Sequence, residues 1–223
     1  MRALATILTA GVVAGAPPNG EASKSPAAIL ADAKTAATSA SAVRISGSIV
    51  TGSGTITLDL VLVAPDRARG RMSEEGESFD VVRVGKTVYI RGSRAFYTKV
   101  AGKQAAALLQ GKWLSAPATT GKLASIGEFT DIRTFFTGVL GSHGHITRGA
   151  ETTVGGQKVI ALVDHSNSGG TLYVATTGRP YPMEIASPHG GAAGAVHFTG
   201  WGASIRITAP KNAIDLSKLK SGG

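Results

Sequence analysis

The residues best suited to do chemistry in this chain sit in one pentad, Gly141-Ser142-His143-Gly144-His145. A His-x-His pair can hold a metal through its imidazole nitrogens if a further donor completes the set. No carboxylate and no third histidine lies near it in sequence, so the expectation is a glycine-rich helix-to-strand loop carrying two exposed histidines. His165, His189 and His197 stand apart, each beside a turn or facing away from the apolar residues of its strand. Gly85-Lys86-Thr87 ends like a phosphate-binding loop, but Asp80 stands where that motif requires its first glycine. Glu74, Glu75 and Glu77 flank Gly76 as a polar hairpin tip does. A glycosidase would need two carboxylates facing each other across a cleft. The chain has no Gly-x-Ser-x-Gly elbow and no His-Glu-x-x-His pair. It has no cysteine, which removes disulfides, thiolate zinc sites, iron–sulfur clusters and cysteine nucleophiles together. The expectation is a non-enzymatic protein with no cofactor and no metal; a metal enzyme built on His143 and His145 is the remotest alternative.

Lys and Arg number 23 against 14 Asp and Glu, a net charge of +9 that suits anionic partners such as lipid head groups. The positive charges are scattered, and the tightest groupings are Arg67, Arg69, Arg71 and Lys218, Lys220. Readers of nucleic acid pair a basic stripe with aromatic platforms, and only 5% of this chain is aromatic. A solvated basic surface, with no nucleic-acid partner, is the expectation. The 43% of apolar residues can form a core, and 223 residues suit one domain. No run of about 20 apolar residues follows residue 16, so the chain is not a multi-span membrane protein.

The elements follow from the spacing of apolar residues. Met1-Arg2, an apolar stretch over 4–14 and the small residues ending at Ala16 read as an export signal over 1–16. Val13-Ala14-Gly15 looks like the start of a bacterial lipobox, with Ala16 where the lipid-bearing cysteine would stand. Residues 17–24 read as a tether, and 25–223 as one domain. Ser25-Pro26 opens a helix over about Ala27 to Ser41, with Ile29, Leu30, Ala33, Ala36 and Ala37 on one face. From Val43 the period is two, giving strands near 43–49, 56–62, 67–73, 79–84, 87–91 and 96–100. A helical turn over Lys103–Gln110 and an irregular connection over 115–125 interrupt them. Phe129, Ile132, Phe135, Phe136, Val139 and Leu140 then sit at helical spacing. Strands resume near 146–154, 158–163, 171–176, 182–186, 195–198 and 204–208, with Gly pairs between several of them. The pattern predicts an α+β fold of about ten or eleven strands in two blocks, curling around helices on its concave side.

Several segments resemble the LolA/LolB-like lipoprotein-carrier fold, most closely the actinobacterial LppX/LprG-type lipoproteins. They include Val43-Arg44-Ile45-Ser46-Gly47, Ile56-Thr57-Leu58-Asp59-Leu60, Val84-Gly85-Lys86-Thr87-Val88-Tyr89-Ile90-Arg91-Gly92 and Gly111-Lys112-Trp113-Leu114. Thr177-Gly178-Arg179-Pro180-Tyr181-Pro182, Phe198-Thr199-Gly200-Trp201-Gly202 and Ile207-Thr208-Ala209-Pro210 continue the match. The resemblance implies an incomplete antiparallel β-barrel with an apolar cavity under helices. It also implies non-covalent binding and transport of acyl lipids or lipoproteins in the cell envelope, at a membrane surface and as a monomer. A protein-interaction or sensor module on the same fold is the alternative. Burying each CH₂ contributes ~0.8 kcal/mol, so a ~16-carbon chain supplies on the order of 10 kcal/mol before ordering costs. The expected inward residues of the sheet are Ile56, Leu58, Leu60, Phe79, Val81, Val88, Ile90, Met183, Ile185, Val196 and Phe198. Phe129, Ile132, Phe135, Phe136 and Leu140 are the expected underside of a helical lid. Arg67, Arg69 and Arg71 are candidates to meet a head group, with solvated strand positions as the plainer reading.

Overall fold

The computed structural model describes residues 16–51, 54–120, 124–167, 169–187 and 194–218. Residues 1–15 of the export-signal reading lie outside these, as do His189 and the Gly190-Gly191 turn. Ser25 caps the first helix, α1 (Pro26–Thr38), by accepting a hydrogen bond from Ala28 N–H, and Pro26 occupies the first turn where no donor is needed. Ile29, Ala33, Ala36 and Ala37 form its buried stripe, and the alanines let it lie close to its neighbours.

Five strands follow in a meander: β1 (Ala42–Thr51), β2 (Gly54–Val63), β3 (Arg67–Glu74), β4 (Glu77–Val84) and β5 (Thr87–Gly92). Then come α2 (Arg94–Leu109), β6 (Leu114–Pro117), α3 (Ala124–Phe129) and α4 (Ile132–Val139). The second block is β7 (Ile146–Val154), β8 (Gln157–Asp164), β9 (Thr171–Ala175), β10 (Pro182–Ala186), β11 (Ala195–Thr199) and β12 (Ile214–Asp215). All twelve strands among the described residues join one sheet, in the order β12-β6-β5-β4-β3-β2-β1-β11-β10-β9-β8-β7. Every neighbouring pair is antiparallel except β12 with β6, and the sheet is open at β12 and β7. The two blocks meet where β1 pairs with β11. Gly47 lies in that seam with φ of 145°, and a Cβ there would stand 2.0 Å from the Ala195 carbonyl oxygen, so the close approach needs glycine.

Period-two register puts one set of side chains on the concave face. Ile45 stands opposite Leu60 and Phe198, Leu60 opposite Gly70, Gly70 opposite Val81, and Val81 opposite Ile90. These apolar residues, with α1, α4 and Tyr97 of α2, make the core.

Four expectations are corrected. Phe96–Val100 is helical, because Ser93 accepts from Phe96 N–H and starts α2 there; Gly102, at φ 82°, kinks it. The connection expected over 115–125 opens on the last three residues of a paired strand, β6. Residues 204–208 run outside the sheet, although Ile207 is buried and its carbonyl accepts from Arg67. The helix expected across 129–140 is two, because Asp131 caps a new start by accepting from Thr134 N–H.

Residues 17–24, expected as a tether, are held against the sheet. Asn19 N–H donates to Thr176 O, Gly178 N–H donates to Pro17 O, and the Asn19 side chain donates to Ala175 O and Gly178 O. Further along, Arg148 of β7 donates to Ala22 O. Lys24 Nζ lies 2.6 Å from both Glu21 Oε1 and Asp32 Oδ2, which ties the segment to α1.

Candidate ligand-binding site

Helix α4 is fixed over the concave face by aromatic packing. Phe136 is fully buried, 5.2 Å from Phe198 and 5.3 Å from Trp201 between ring centres. Trp201 stacks on Tyr181 at 4.4 Å and 3°, and its indole N–H donates to Pro182 O. These contacts anchor the helix beside the β1–β11 seam. Towards the β1–β2 hairpin the helices stand off the sheet, and a cavity of about 280 Å³ opens. Leu58, Phe135, Ile185, Val196 and Phe198 form its walls, with Phe129 and Val139 from the lid and Ile49 from β1. Ser48 and Ser187 bring the only side-chain polar atoms among its lining residues.

A second cavity of about 190 Å³ shares Val139, Gly169, Gly170 and Ile185 with the first. Leu30, Leu140, Ile146, Leu162 and Leu172 line it, together with Ser142, His143 and Asp164. A third, of about 150 Å³, lies between α3 and strands β2 to β4, with Leu60, Met72, Phe79, Val81, Ile126 and Thr130; it meets the first at Phe129. Four large apolar side chains are exposed among the described residues, and three of them, Ile49, Phe129 and Val139, line the first cavity.

The sixteen expected residues therefore divide. Leu58, Leu60, Phe79, Val81, Phe129, Phe135, Leu140, Ile185, Val196 and Phe198 line one or another cavity. Val88, Ile90, Ile132 and Phe136 are buried in the core instead. Ile56 is half-buried near the β1–β2 turn and lines none of the three. Met183 is turned the other way. A bulge between Pro182 and Glu184 breaks the alternation of β10 and sets Met183 on the convex face, in a groove with Arg44, Tyr173 and His197. Ile49, Val139, Leu162 and Leu172 were not singled out, although each sat at the right period in its segment.

Arg67, Arg69 and Arg71 are exposed on the convex face, because Ala68, Gly70 and Met72 take the inward positions of β3. Arg71 and Arg91 both bind Asp80, at 2.8 and 2.9 Å. A head group entering the cavity does not meet these arginines. Arg44 likewise pairs with Asp59 across β1 and β2 through two 2.8 Å bonds.

The histidine pentad is less isolated than its sequence suggests. His165 comes from the end of β8 to stand 5.9 Å from His145 between ring centres, and Thr147 Oγ1 is 2.8 Å from its Nε2. Asp164 accepts from Gly144 N–H, Ser166 N–H and the Ser166 hydroxyl. These bonds, the Ser166 N–H above all, outweigh its partial burial and hold its carboxyl below the usual carboxylate range, with His143 nearby contributing. Among the described residues no three histidines or carboxylates are grouped so as to hold a metal.

An open sheet with helices in its concave face and an apolar trough between them defines the class, a LolA/LppX-like half-barrel. LprF of Mycobacterium bovis shares this architecture, with a TM-score of 0.56 and 14% identity over 88% of this chain and 99% of that one. The lipoprotein LppX of Mycobacterium tuberculosis gives 0.53 and 14% over 82% and 99%. At such identity the likeness is one of fold. No protein-family model and no curated protein sequence matches the chain.

Proposed function

We propose that this protein binds an acyl chain of a lipid or lipoprotein in the trough beneath α4, and carries it in the cell envelope without covalent chemistry. The observation that carries the reading is a row of adjoining cavities, lined mainly by apolar residues, beside a rim of exposed Ile49, Phe129 and Val139. The first cavity alone, at about 280 Å³, is close to the lower end of small-ligand sites, which hold about 300–1,000 Å³. An acyl chain needs no polar recognition to gain ~0.8 kcal/mol per buried CH₂. The shared fold with LprF and LppX supports the reading at the level of architecture. The export reading of residues 1–16 puts residues 25–223 in the envelope as one lipid-binding domain, acting as a monomer at a membrane surface.

Native mass spectrometry of the purified chain, followed by lipid extraction, tests this. Ile185 borders both the first and second cavities. A co-purifying acyl lipid that is lost in Ile185→Trp, with circular dichroism unchanged, is the expected result. A protein that stays empty when offered phospholipid and lipopeptide contradicts the proposal and points instead to a protein partner.

A further inference from the structure

The first cavity has no titratable side chain among its lining residues, whereas the second has His143 and Asp164 beside Ser142. We infer that Ser142, His143 and Asp164 form a head-group subsite, selecting a hydroxylated, non-anionic head on an amphiphile whose chain fills the first cavity. The inference rests on the acyl-binding reading above and adds to it the class of ligand. The two cavities meet along Val139, Gly169, Gly170 and Ile185, so a chain in one carries its polar end to the other.

The chemistry of the ledge sets the preference. Asp164 Oδ1 is engaged by two backbone N–H groups at 3.0 and 2.9 Å, while Oδ2 accepts from the Ser166 hydroxyl at 3.0 Å. A carboxylate offers about four lone-pair positions, so Oδ2 retains room for another donor. His143 Nδ1 lies 2.9 Å from Gly144 O, which places the proton of the neutral ring on Nδ1 and leaves Nε2 as an acceptor. These three lining residues together offer two acceptors and a hydroxyl. Hydroxyls of a glycerol-type head supply the matching donors, and a phosphate or carboxylate head brings lone pairs and a negative charge towards an ionised Asp164.

The test compares two amphiphiles that differ by one phosphate, 1-lauroylglycerol and 1-lauroylglycerol 3-phosphate, each displacing the uncharged probe N-phenyl-1-naphthylamine from the full chain at pH 8. Wild type is expected to bind the glycerol form about tenfold more tightly. Asp164→Asn keeps an oxygen for the Gly144 and Ser166 N–H groups but loses the charge, and should bring the two affinities within about twofold. His143→Ala, which leaves those bonds in place, should weaken the glycerol form about threefold and the phosphate form less. Equal affinities in wild type, or a ratio that neither variant changes, overturn the subsite while leaving the acyl site standing. If neither amphiphile nor the probe binds, both the acyl reading and the subsite fall.

Discussion

Phe136 and Phe129 show how two phenylalanines of one aromatic run come to different ends. Phe136 is fully buried among Phe135, Phe198 and Trp201, so Phe136→Ala should cost about 3–5 kcal/mol of stability in urea unfolding. Phe129 is 41% exposed at the rim, and Phe129→Ala should cost less than about 1 kcal/mol while weakening binding of an uncharged apolar probe. Asp80 shows a second residue-scale effect on the convex face. Burial pushes its carboxyl up, but Arg71 and Arg91 outweigh that and hold it below the usual range. Its contribution to stability is therefore complete above the ordinary carboxylate pKa of about 3.9 and is lost as pH falls further, through the lowered folded value. Asp80→Asn should flatten that part of the acid-unfolding curve and cost about 1 kcal/mol at pH 7, since both arginines remain well exposed. Alternation identified Val88 and Val196 equally as inward residues. It could not say that Val88 would be buried in the core while Val196 borders a cavity, because that depends on what another part of the chain places opposite them.

At the scale of elements, the long strands were legible because eight to ten residues display a period. The four residues of β6 and the two of β12 are too few to display one. Phe96–Val100 failed for a different reason. In so short an apolar run the Ser93 cap decides the outcome, and Ser93 begins a helix. The β10 bulge has no periodic signature and cost the placement of Met183. Nor does composition reveal that the Pro- and Gly-bearing stretch 17–24 docks. Part of its hold comes from Glu21, whose side chain is 2% exposed and pairs with Lys24. Lys24→Ala leaves that carboxylate buried without its partner, a change that is strongly destabilising where it occurs. Limited proteolysis should then cut within residues 17–24 faster than in wild type while the sheet stays resistant. An unchanged cleavage rate would show that Asn19 and Arg148 hold the segment without the ion pair.

For the whole molecule, these placements give the half-barrel a direction. Ala16 emerges beside Gly178, at the end of the sheet where β9 finishes and β10 begins. The first cavity opens at the other end, beside Ile49, Ser187 and Gly194. The five residues of β10, at roughly 3.3 Å each, lie between the two ends, a separation of about 17 Å along that strand. While residues 17–24 stay docked, Ala16 and the opening lie at opposite ends of the sheet. Whether an acyl chain occupies the trough beneath α4 is tested by paramagnetic broadening of backbone amide signals by a fatty acid labelled with a nitroxide near its chain end. Selective broadening is expected at Gly170, Ile185, Val196 and Phe198, which line the first cavity, with Gly85, Lys86 and Gly178 at the far end of the sheet little affected. Broadening centred on Thr153 and Gly155 in the convex groove, or spread evenly over the surface, would contradict that occupancy.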